Sequence, residues 1–222
     1  TGDTTVQAGG DLVVSGTVSG AGSDLTLDAG GKMILGATTV AGNLASNTRG
    51  AGNAGGVTQT GALTVAGTAI FTADTGTNQD AGLTYAGNDF QGNLSLTAAN
   101  GGNWRNVSVT DANSLTLGNV TASGTLDATA AQNLAVNGTV SVASLDLTAT
   151  AGDITQGAGS TLTVTAGPTQ LQAGDDITLD QANDFNGTVN VAGGNDVTLN
   201  DANSLTLGNV TASGTLDATA AQ

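Results

Sequence analysis

The residues that could carry chemistry are few in this chain of 222 residues. It has no His and no Cys, so neither a Ser-His-Asp or Cys-His arrangement nor a thiolate metal site can be built from it. What remains is 18 acidic residues, three cations (Lys32, Arg49 and Arg105) and one Trp, Trp104. Trp and Arg are typical hot-spot residues of binding surfaces. These residue types therefore favour binding over catalysis.

Trp104 lies where two related stretches of the sequence differ. One stretch reads "GGNWRNVSVTDAN" and its counterpart reads "GGNDVTLNDAN", so the first has two additional residues in a turn. An exposed indole at this turn could stack on a sugar ring. We therefore predict a weak glycan or partner contact formed by Trp104 and Arg105, with Asn103 and Tyr85 as neighbours. The interpretation that the residues favour over this one is that Trp104 folds over a coil edge and covers apolar surface.

The carboxylates indicate neither an enzyme nor a dedicated metal site. A polysaccharide-cleaving site would need clustered carboxylates with Arg or Lys to hold an anionic sugar, and three cations spread over the chain are too few. "AGDD" (173–176) and "GGND" (193–196) only partly match the calcium-binding pattern G-G-x-G-x-D. We expect no catalytic residue, no metal site and no cofactor.

The formal net charge of −15 and the short apolar runs each argue against one class of partner. Nucleic acids are bound by basic surfaces that displace counterions, and this chain cannot form one. No apolar run approaches the roughly 20 residues that span a bilayer, so direct membrane insertion is not expected.

The hydrophobic pattern predicts β-strands. Segments such as "SLTLGNV", "STLTVTAG" and "GTVNVAG" alternate apolar and polar residues over four to six positions between Gly, Asn or Asp. Apolar residues do not recur at helical spacing, and Gly interrupts the sequence every few residues. Aromatic residues make up only 2% of the chain, so the core must be narrow and filled by small aliphatic side chains.

The internal repeats of the sequence indicate the architecture. "DANSLTLGNVTASGTLDATAAQ" occupies residues 111–132 and recurs letter for letter at 201–222, and looser repeats relate 12–56, 57–132 and 134–222. Three short strands with their corners take about 20 residues, the length of one coil of a solenoid. We therefore predict an all-β fold, a parallel β-helix of about 11 coils of about 20 residues. Residues 1–222 would form a single repetitive segment of a longer chain.

Two corners of this solenoid carry a Phe between polar turn formers and a Gly, in "NDFQG" (88–92) and "NDFNG" (183–187). We expect Phe90 and Phe185 to plug the interior at a corner. Asn and Asp tolerate the left-handed backbone that such a bend would need, and Gly92 and Gly187 would complete the bend. Exposed Phe side chains that act as ligand platforms are the alternative.

At these residues the sequence resembles a known family. "ITQ…LTVTAG…ANDFNGTVNVAGGNDVTLNDANSLTLG" is similar to the repeat region of filamentous-haemagglutinin-type adhesins, which bacterial two-partner secretion systems export, and in particular to large biofilm-matrix adhesins. The resemblance covers essentially the whole chain. It implies a right-handed parallel β-helix that forms a long shaft. The amino-terminal secretion domain, an Arg-Gly-Asp tripeptide and a toxin-like module of the family have no counterpart in these residues.

The resemblance implies a secreted, extracellular protein at the bacterial surface. Its expected partners are an exopolysaccharide or a host or bacterial surface glycan or receptor, together with the outer-membrane secretion pore of the parent protein. We expect a rigid shaft for attachment in biofilms. Alternatives are the stalk of a contact-dependent toxin-delivery protein, a polysaccharide-cleaving β-helix enzyme and an ice-binding solenoid. Ice binding would need columns of Thr-x-Thr, which "TLTVT" begins but "DITLD" does not continue.

Overall fold

The protein folds as a β-solenoid in the computed structural model, which describes residues 2–52 and 55–221. Parallel strands stack in about 10 turns of roughly 21 residues. The all-β parallel β-helix expected from the sequence is therefore confirmed, with slightly fewer and longer coils. No α-helix occurs in the described ranges, so they contain no helix that is long and apolar enough to cross a bilayer.

The described residues form 25 strands. In chain order they are β1 (Thr4–Ala8), β2 (Leu12–Val18), β3 (Leu25–Ala29), β4 (Met33–Val40), β5 (Leu44–Thr48), β6 (Val57–Gln59), β7 (Leu63–Val65), β8 (Ala69–Asp74), β9 (Gln79–Leu83), β10 (Asp89–Phe90), β11 (Asn93–Ala99), β12 (Trp104–Asp111), β13 (Leu115–Thr121), β14 (Thr125–Ala130), β15 (Leu134–Val136), β16 (Thr139–Val142), β17 (Ser144–Ala149), β18 (Ile154–Gln156), β19 (Thr161–Val164), β20 (Thr169–Ala173), β21 (Ile177–Phe185), β22 (Thr188–Gly193), β23 (Val197–Asp201), β24 (Thr206–Val210) and β25 (Leu216–Ala220).

The strands belong to two sheets that run the length of the solenoid. Sheet 1 contains β1, β3, β5, β8, β11, β13, β15, β16, β18, β19, β21, β23 and β25. Sheet 2 contains β2, β4, β6, β7, β9, β10, β12, β14, β17, β20, β22 and β24. The chain passes from one sheet to the other every half turn, and several half turns are divided into two short strands, such as β6 and β7.

The core lies between the sheets and follows from the alternation of side chains. In β17, for example, Leu145, Leu147 and Ala149 are buried, and the residues between them face outward. The same positions align from coil to coil, as in the register Ala128↔Leu147↔Leu171. Apolar residues therefore form continuous ladders inside the rod, and burial of these ladders is the main stabilising contribution.

The two identical segments lie on opposite faces of the solenoid. The residues of the first copy form β13 in sheet 1 and β14 in sheet 2, whereas those of the second copy form β24 in sheet 2 and β25 in sheet 1. β14 follows β13 by half a turn, and β17, β20, β22 and β24 then follow in sheet 2, one per turn. The copies are thus separated by four and a half turns, and the repeating structural unit is half a coil.

Candidate functional site

Trp104 is buried in the core, so the hypothesis of an exposed indole is wrong, and the interpretation in which Trp104 covers apolar surface is confirmed. It begins β12, pairs with Gln79 of β9, forms a bridge to Ala122 and has 0% of its surface exposed. The register between β9 and β12 shifts between Trp104 and Val107. The bulge leaves residues 105 and 106 opposite a single residue of β9, and the indole lies inward, where it covers apolar surface. Its Nε1–H has no hydrogen-bond partner among the residues that the structure describes.

Arg105 lies at this bulge, outside the rod, and its guanidinium is paired. Nε donates to Asp80 Oδ1 over 3.0 Å, and Nη2 contacts Asp80 Oδ2. The hydrogen bond from Arg105 lowers the pKa of Asp80, and the backbone N–H of Asn106 adds to this effect. Both side chains are more than 40% exposed. The ion pair therefore links two neighbouring coils but contributes little to the free energy of unfolding.

Asn103 and Tyr85 do not form a common site with Trp104. Asn103 Oδ1 accepts the backbone N–H of Asn78 over 2.8 Å, and Nδ2 donates to Ser123 Oγ over 3.2 Å, which links three coils. Tyr85 is 48% exposed and follows the end of β9, whereas the partner of Trp104 begins that strand. A ligand role of Arg105, Asn103 and Tyr85 stays a prediction. Stacking on the indole of Trp104 is not part of it, because that side chain is buried.

The two corner Phe residues plug the interior as expected, because Phe90 and Phe185 are each 1% exposed. The expected left-handed bend is wrong. Residues 88–92 and 183–187 all have negative φ. A Cβ on Gly92 would lie 2.4 Å from Gly67 O, and one on Gly187 would lie 1.9 Å from Gly167 O. These glycines are required by the close approach of stacked coils.

The Asn of "NDF" is the centre of the hydrogen-bond network at each corner, and the sequence interpretation missed it. Asn88 is fully buried, and its Oδ1 accepts from Gln59 Nε2 over 2.7 Å and from Leu63 N over 2.9 Å. Its Nδ2 donates back to Gln59 Oε1 over 3.0 Å and also to the carbonyls of Leu83 and Thr110. The amide therefore satisfies backbone groups of three consecutive coils.

A buried carboxylate completes this corner. Asp111, 1% exposed, accepts the backbone N–H of Phe90 on Oδ2 over 2.8 Å and that of Asn113 on Oδ1 over 2.7 Å. Burial raises the pKa of Asp111, and these two hydrogen bonds oppose the rise. A carboxylate held by backbone N–H groups in this way fixes the conformation of the corner.

The second copy reproduces the corner on the opposite side of the rod. Asn183 is bound to Gln156 and Leu162 in the same way, and Asp201 accepts from the backbone N–H of Phe185 over 2.8 Å. The recurrence of Gln in "VTQ" and "ITQ", of "NDF" and of "DAN" was the signal that could have identified both networks.

Most other corners are joined by ladders of side-chain oxygens that accept a backbone N–H one coil further on. In the longest ladder, Asn133 accepts from Asp153, Asp153 from Asp176, Asp176 from Asp196, and Asp196 from Thr215, each over 2.7–3.0 Å. Several of the scattered acidic residues therefore have a structural role. The hydrogen bonds from Thr215 lower the pKa of Asp196.

One pair of carboxylates faces outward in register. Asp127 of β14 lies directly opposite Asp146 of β17. Partial burial raises the pKa of both groups, and the charge of Asp127 raises that of Asp146 further. The pair is a local electrostatic cost to the fold, since like charges directly opposite each other destabilise a sheet.

Asp153, Asp175 and Asp176 bring three carboxylate oxygens within 4.8 Å of one another. Three such ligands fall short of the roughly six to eight oxygens that calcium takes. One open groove of about 390 Å³ is lined by Gln170, Asn190, Val191, Ala192, Asn209 and Thr211, none of which titrates near neutral pH.

Comparison with known proteins identifies a family. A family model described as "Repeats of unknown function (DUF5649)" matches residues 22–97, 105–145, 131–192 and 194–222. Neither the curated proteins nor the solved structures yielded a match.

Proposed function

We propose that this chain, which belongs to the family of DUF5649 repeats, is a segment of the rigid shaft of a large secreted bacterial surface adhesin. The shaft would extend from the cell and hold attachment sites at a distance, for cell-cell, matrix-polysaccharide or host contact in biofilms. The resemblance to filamentous-haemagglutinin-type adhesins supports this biological setting, including export through an outer-membrane pore.

The observation that carries the proposal is the half-turn offset of the identical segments. A ligand site made by residues 111–132 would face one side of the rod, and the same residues at 201–221 would face the other side. The repeated sequence therefore keeps the residues that build a coil, but it does not keep the direction in which that coil faces. A spacer needs only the first of these properties.

The contacts between coils are those of a stiff rod. Backbone hydrogen bonds join neighbouring coils along both sheets, and corner side chains add links across them. Arg49, for example, bonds to Asp74 Oδ2 over 3.0 Å and contacts Asp28, and Asn100 donates to Asp74 Oδ1 over 2.6 Å. These four residues connect four consecutive coils. Bending would have to stretch many such bonds at once, which is why a narrow core is sufficient.

The test is to lengthen the rod by its own repeat. A second copy of residues 133–222 is inserted after Gln222, so that the new junction repeats the one after Gln132. We expect a folded rod about 20 Å longer, since four and a half turns rise about 4.8 Å each. Small-angle X-ray scattering measures the length, and a Gly/Ser insert of equal residue number is the control. A scattering profile of a flexible or compact particle for the repeat insert would contradict the proposal.

The adhesive role needs its own measurement. A glycan-binding domain of known specificity is fused to the tip of surface-displayed rods of both lengths and to the Gly/Ser control. We expect the longer rod to restore adhesion of encapsulated cells, whereas the flexible control does not. Equal adhesion with the rigid and flexible inserts would show that adhesion does not depend on the stiffness of the rod. Exopolysaccharide binding by the chain itself is measured in parallel and separates a shaft that binds from one that only spaces.

A further inference from the structure

The outward side chains of sheet 1 form two columns of hydroxyl and amide groups in the middle of the rod. In four successive coils, the strands β11, β13, β16 and β19 place a polar residue outward on either side of a buried one. The first column contains Ser95, Asn119, Thr139 and Thr161, and the second contains Thr97, Thr121, Ser141 and Thr163. All eight side chains are exposed or half-buried. We call these eight residues the hydroxyl face.

The strand register places the residues of each column over one another. Thr139 of β16 pairs with Thr161 of β19, and Ser141 pairs with Thr163. Thr121 of β13 in turn pairs with Ser141. The register between β11 and β13 shifts once, and the strands pair again beyond the shift. The two columns therefore continue across four coils.

The sequence comparison missed these columns because it compared strands that do not stack on each other. "DITLD" follows "TLTVT" along the chain, but its Thr178 stacks on Thr155 of β18, beside the hydroxyl face. The strand that stacks with "TLTV" on its other side is β16, which reads "TVSV". The Thr-x-Thr pattern of Thr161 and Thr163 is thus continued in the preceding coils, as Thr-x-Ser, Asn-x-Thr and Ser-x-Thr.

The hydroxyl face is uncharged in a strongly acidic molecule. The chain has 18 acidic residues and three cations, but none of them lies in β11, β13, β16 or β19. Sheet 2 carries Asp127 and Asp146 in register on its own outward side. Since binding surfaces match the charge of their partners, the hydroxyl face suits a neutral partner that forms hydrogen bonds.

The positions of the hydroxyl groups are regular and restrained. Coils are about 4.8 Å apart and alternate residues of a strand about 6.6 Å apart, so the side chains occupy a nearly rectangular grid. Most of them are Thr, whose branched Cβ restricts χ1. Asn119 is held by its neighbours, because its Oδ1 accepts Thr139 N over 3.0 Å and its backbone N–H donates to Ser95 Oγ over 3.2 Å.

Apolar groups extend the hydroxyl face by one coil. Ile70 of β8 is 41% exposed and pairs with Ser95 at the foot of the first column. Beside it, Thr72 pairs with Thr97, and their hydroxyl oxygens are 3.3 Å apart. Together with the methyl groups of the Thr side chains, Ile70 gives a surface on which apolar and hydroxyl groups lie side by side. Covering such a surface removes apolar area from water and keeps its hydrogen bonds.

We propose that the hydroxyl face binds the surface of an ice crystal. Rows of water oxygens in ice repeat at nearly the distance between two coils, so successive side chains of a column can each occupy a position of the ice lattice. A hydroxyl donates one hydrogen bond and has two acceptor lone pairs, which allows it to replace a lattice water. The restrained grid is already ordered before contact, and this preorganisation lowers the entropic cost of adsorption.

A saccharide fits the hydroxyl face less well than ice does. Small-molecule sites are concave and lined mainly by apolar and aromatic side chains with a few polar groups. The hydroxyl face is instead the outer surface of a sheet, and none of its eight residues is aromatic. Ice is flat, neutral and periodic, as this surface is. A saccharide is therefore treated as an outcome of the test.

The first experiment measures thermal hysteresis of the purified 222-residue chain by nanolitre osmometry. We expect the freezing point to fall below the melting point by a gap that grows with protein concentration, and ice crystals to grow with facets. Equal freezing and melting points at the highest soluble concentration would overturn the proposal. That result would leave the shaft function untouched, so the two proposals fail separately.

The second experiment locates the activity on the rod. Thr121→Tyr and Thr139→Tyr each place a bulky side chain at an exposed position of the hydroxyl face, and we expect both to lose the gap. Thr58→Tyr is the matched control, since Thr58 is an exposed Thr of β6 in sheet 2, and it should retain the gap. Circular dichroism shows whether each variant keeps its strands. Folded face variants that retain the full gap would overturn the proposal.

The third experiment is a gain of activity, which an unfolded variant cannot imitate. Ser141→Thr adds a methyl group between Thr121 and Thr163 in the second column, and we expect it to widen the gap. A narrower gap in a folded Ser141→Thr variant would contradict the role of the columns. Binding to dextran, a neutral polysaccharide, is measured in parallel. Dextran binding that Thr139→Tyr abolishes, without thermal hysteresis in the unsubstituted chain, would replace ice by a saccharide.

Discussion

Asn88 and Gln59, in neighbouring coils, exchange two hydrogen bonds, from Gln59 Nε2 to Asn88 Oδ1 over 2.7 Å and from Asn88 Nδ2 to Gln59 Oε1 over 3.0 Å. The pair closes a corner that is otherwise apolar. Because both amides also serve backbone groups, the corner is a hydrogen-bonded unit within the ladder of Leu and Val. Its stability can be tested directly.

Replacing Asn88 with Ala should lower the free energy of unfolding by several kcal/mol. The substitution leaves the buried Leu63 N–H and the amide of Gln59 without their partner, and each unsatisfied group costs about 1–3 kcal/mol. Urea denaturation measures the loss. Asn113→Ala, at an exposed position of the same corner, is the control and should change stability little. A similar small change at Asn88 would show that the network contributes nothing.

Replacing Gly187 with Ala should destabilise the coil stack. The added Cβ would meet Gly167 O at 1.9 Å and Gly167 C at 2.7 Å, both in the backbone of the coil below. Overpacking of this kind costs about 1–3 kcal/mol or more. Gly193→Ala is the matched control, because the nearest atom to its Cβ is 3.7 Å away. Thermal melts of the two variants compare the effects, and equal melting temperatures would contradict the close stacking.

Trp104→Ala should cost about 3–5 kcal/mol, as expected for a large buried side chain. Trp104→Phe should cost less, since it keeps part of the apolar volume and removes the unpartnered Nε1–H. Urea denaturation of both variants measures this order. A Trp fluorescence maximum typical of a solvated indole in the unsubstituted protein would contradict the buried position.

Asp127→Asn and Asp146→Asn should each stabilise the protein at neutral pH, by about 0.2–1 kcal/mol for removal of a like-charge pair. The pKa of each carboxyl is raised in the folded state, so the folded protein binds protons more tightly than the unfolded chain. The free energy of unfolding therefore falls as the pH rises from the ordinary Asp value through the raised one. The gain from either variant should disappear below about pH 4.

Denaturation curves at several pH values measure this dependence. Asp217→Asn is the control, since it removes the same charge from an outward position that faces Thr198. A gain at Asp127 that equals the gain at Asp217 would assign the effect to net charge alone.

The sequence predicts the coil but not which way the coil faces. Apolar/polar alternation identifies strands such as β17, and the plugging of corners by Phe90 and Phe185 follows from their flanking turn residues. The offset of 90 residues between the identical segments cannot be converted into turns. Paired residues in successive coils are 18 positions apart at Val189↔Leu207 and 26 apart at Ala81↔Val107.

The sequence also could not predict that the side chain of Trp104 points into the core. Insertion of two residues into a strand can extend a turn or form a bulge, and these outcomes place the indole on opposite sides of the sheet. The partner strand decides between them, because Gln79 and Ala81 leave one residue opposite the two at 105 and 106. The Gln, Asn and Asp of the corner recur visibly in the sequence. Their contacts could not be predicted from it, because the three residues come from different coils and touch only when the coils stack.

The half-coil unit has a consequence for inheritance. Where the codons of the two identical stretches also match, unequal crossing-over between them would add or delete 90 codons at a time, and the product would remain a continuous stack because either face can receive the next half coil. Length can then change between generations without a period of unstable intermediates. Selection could then act on the number of coils while the fold stays the same.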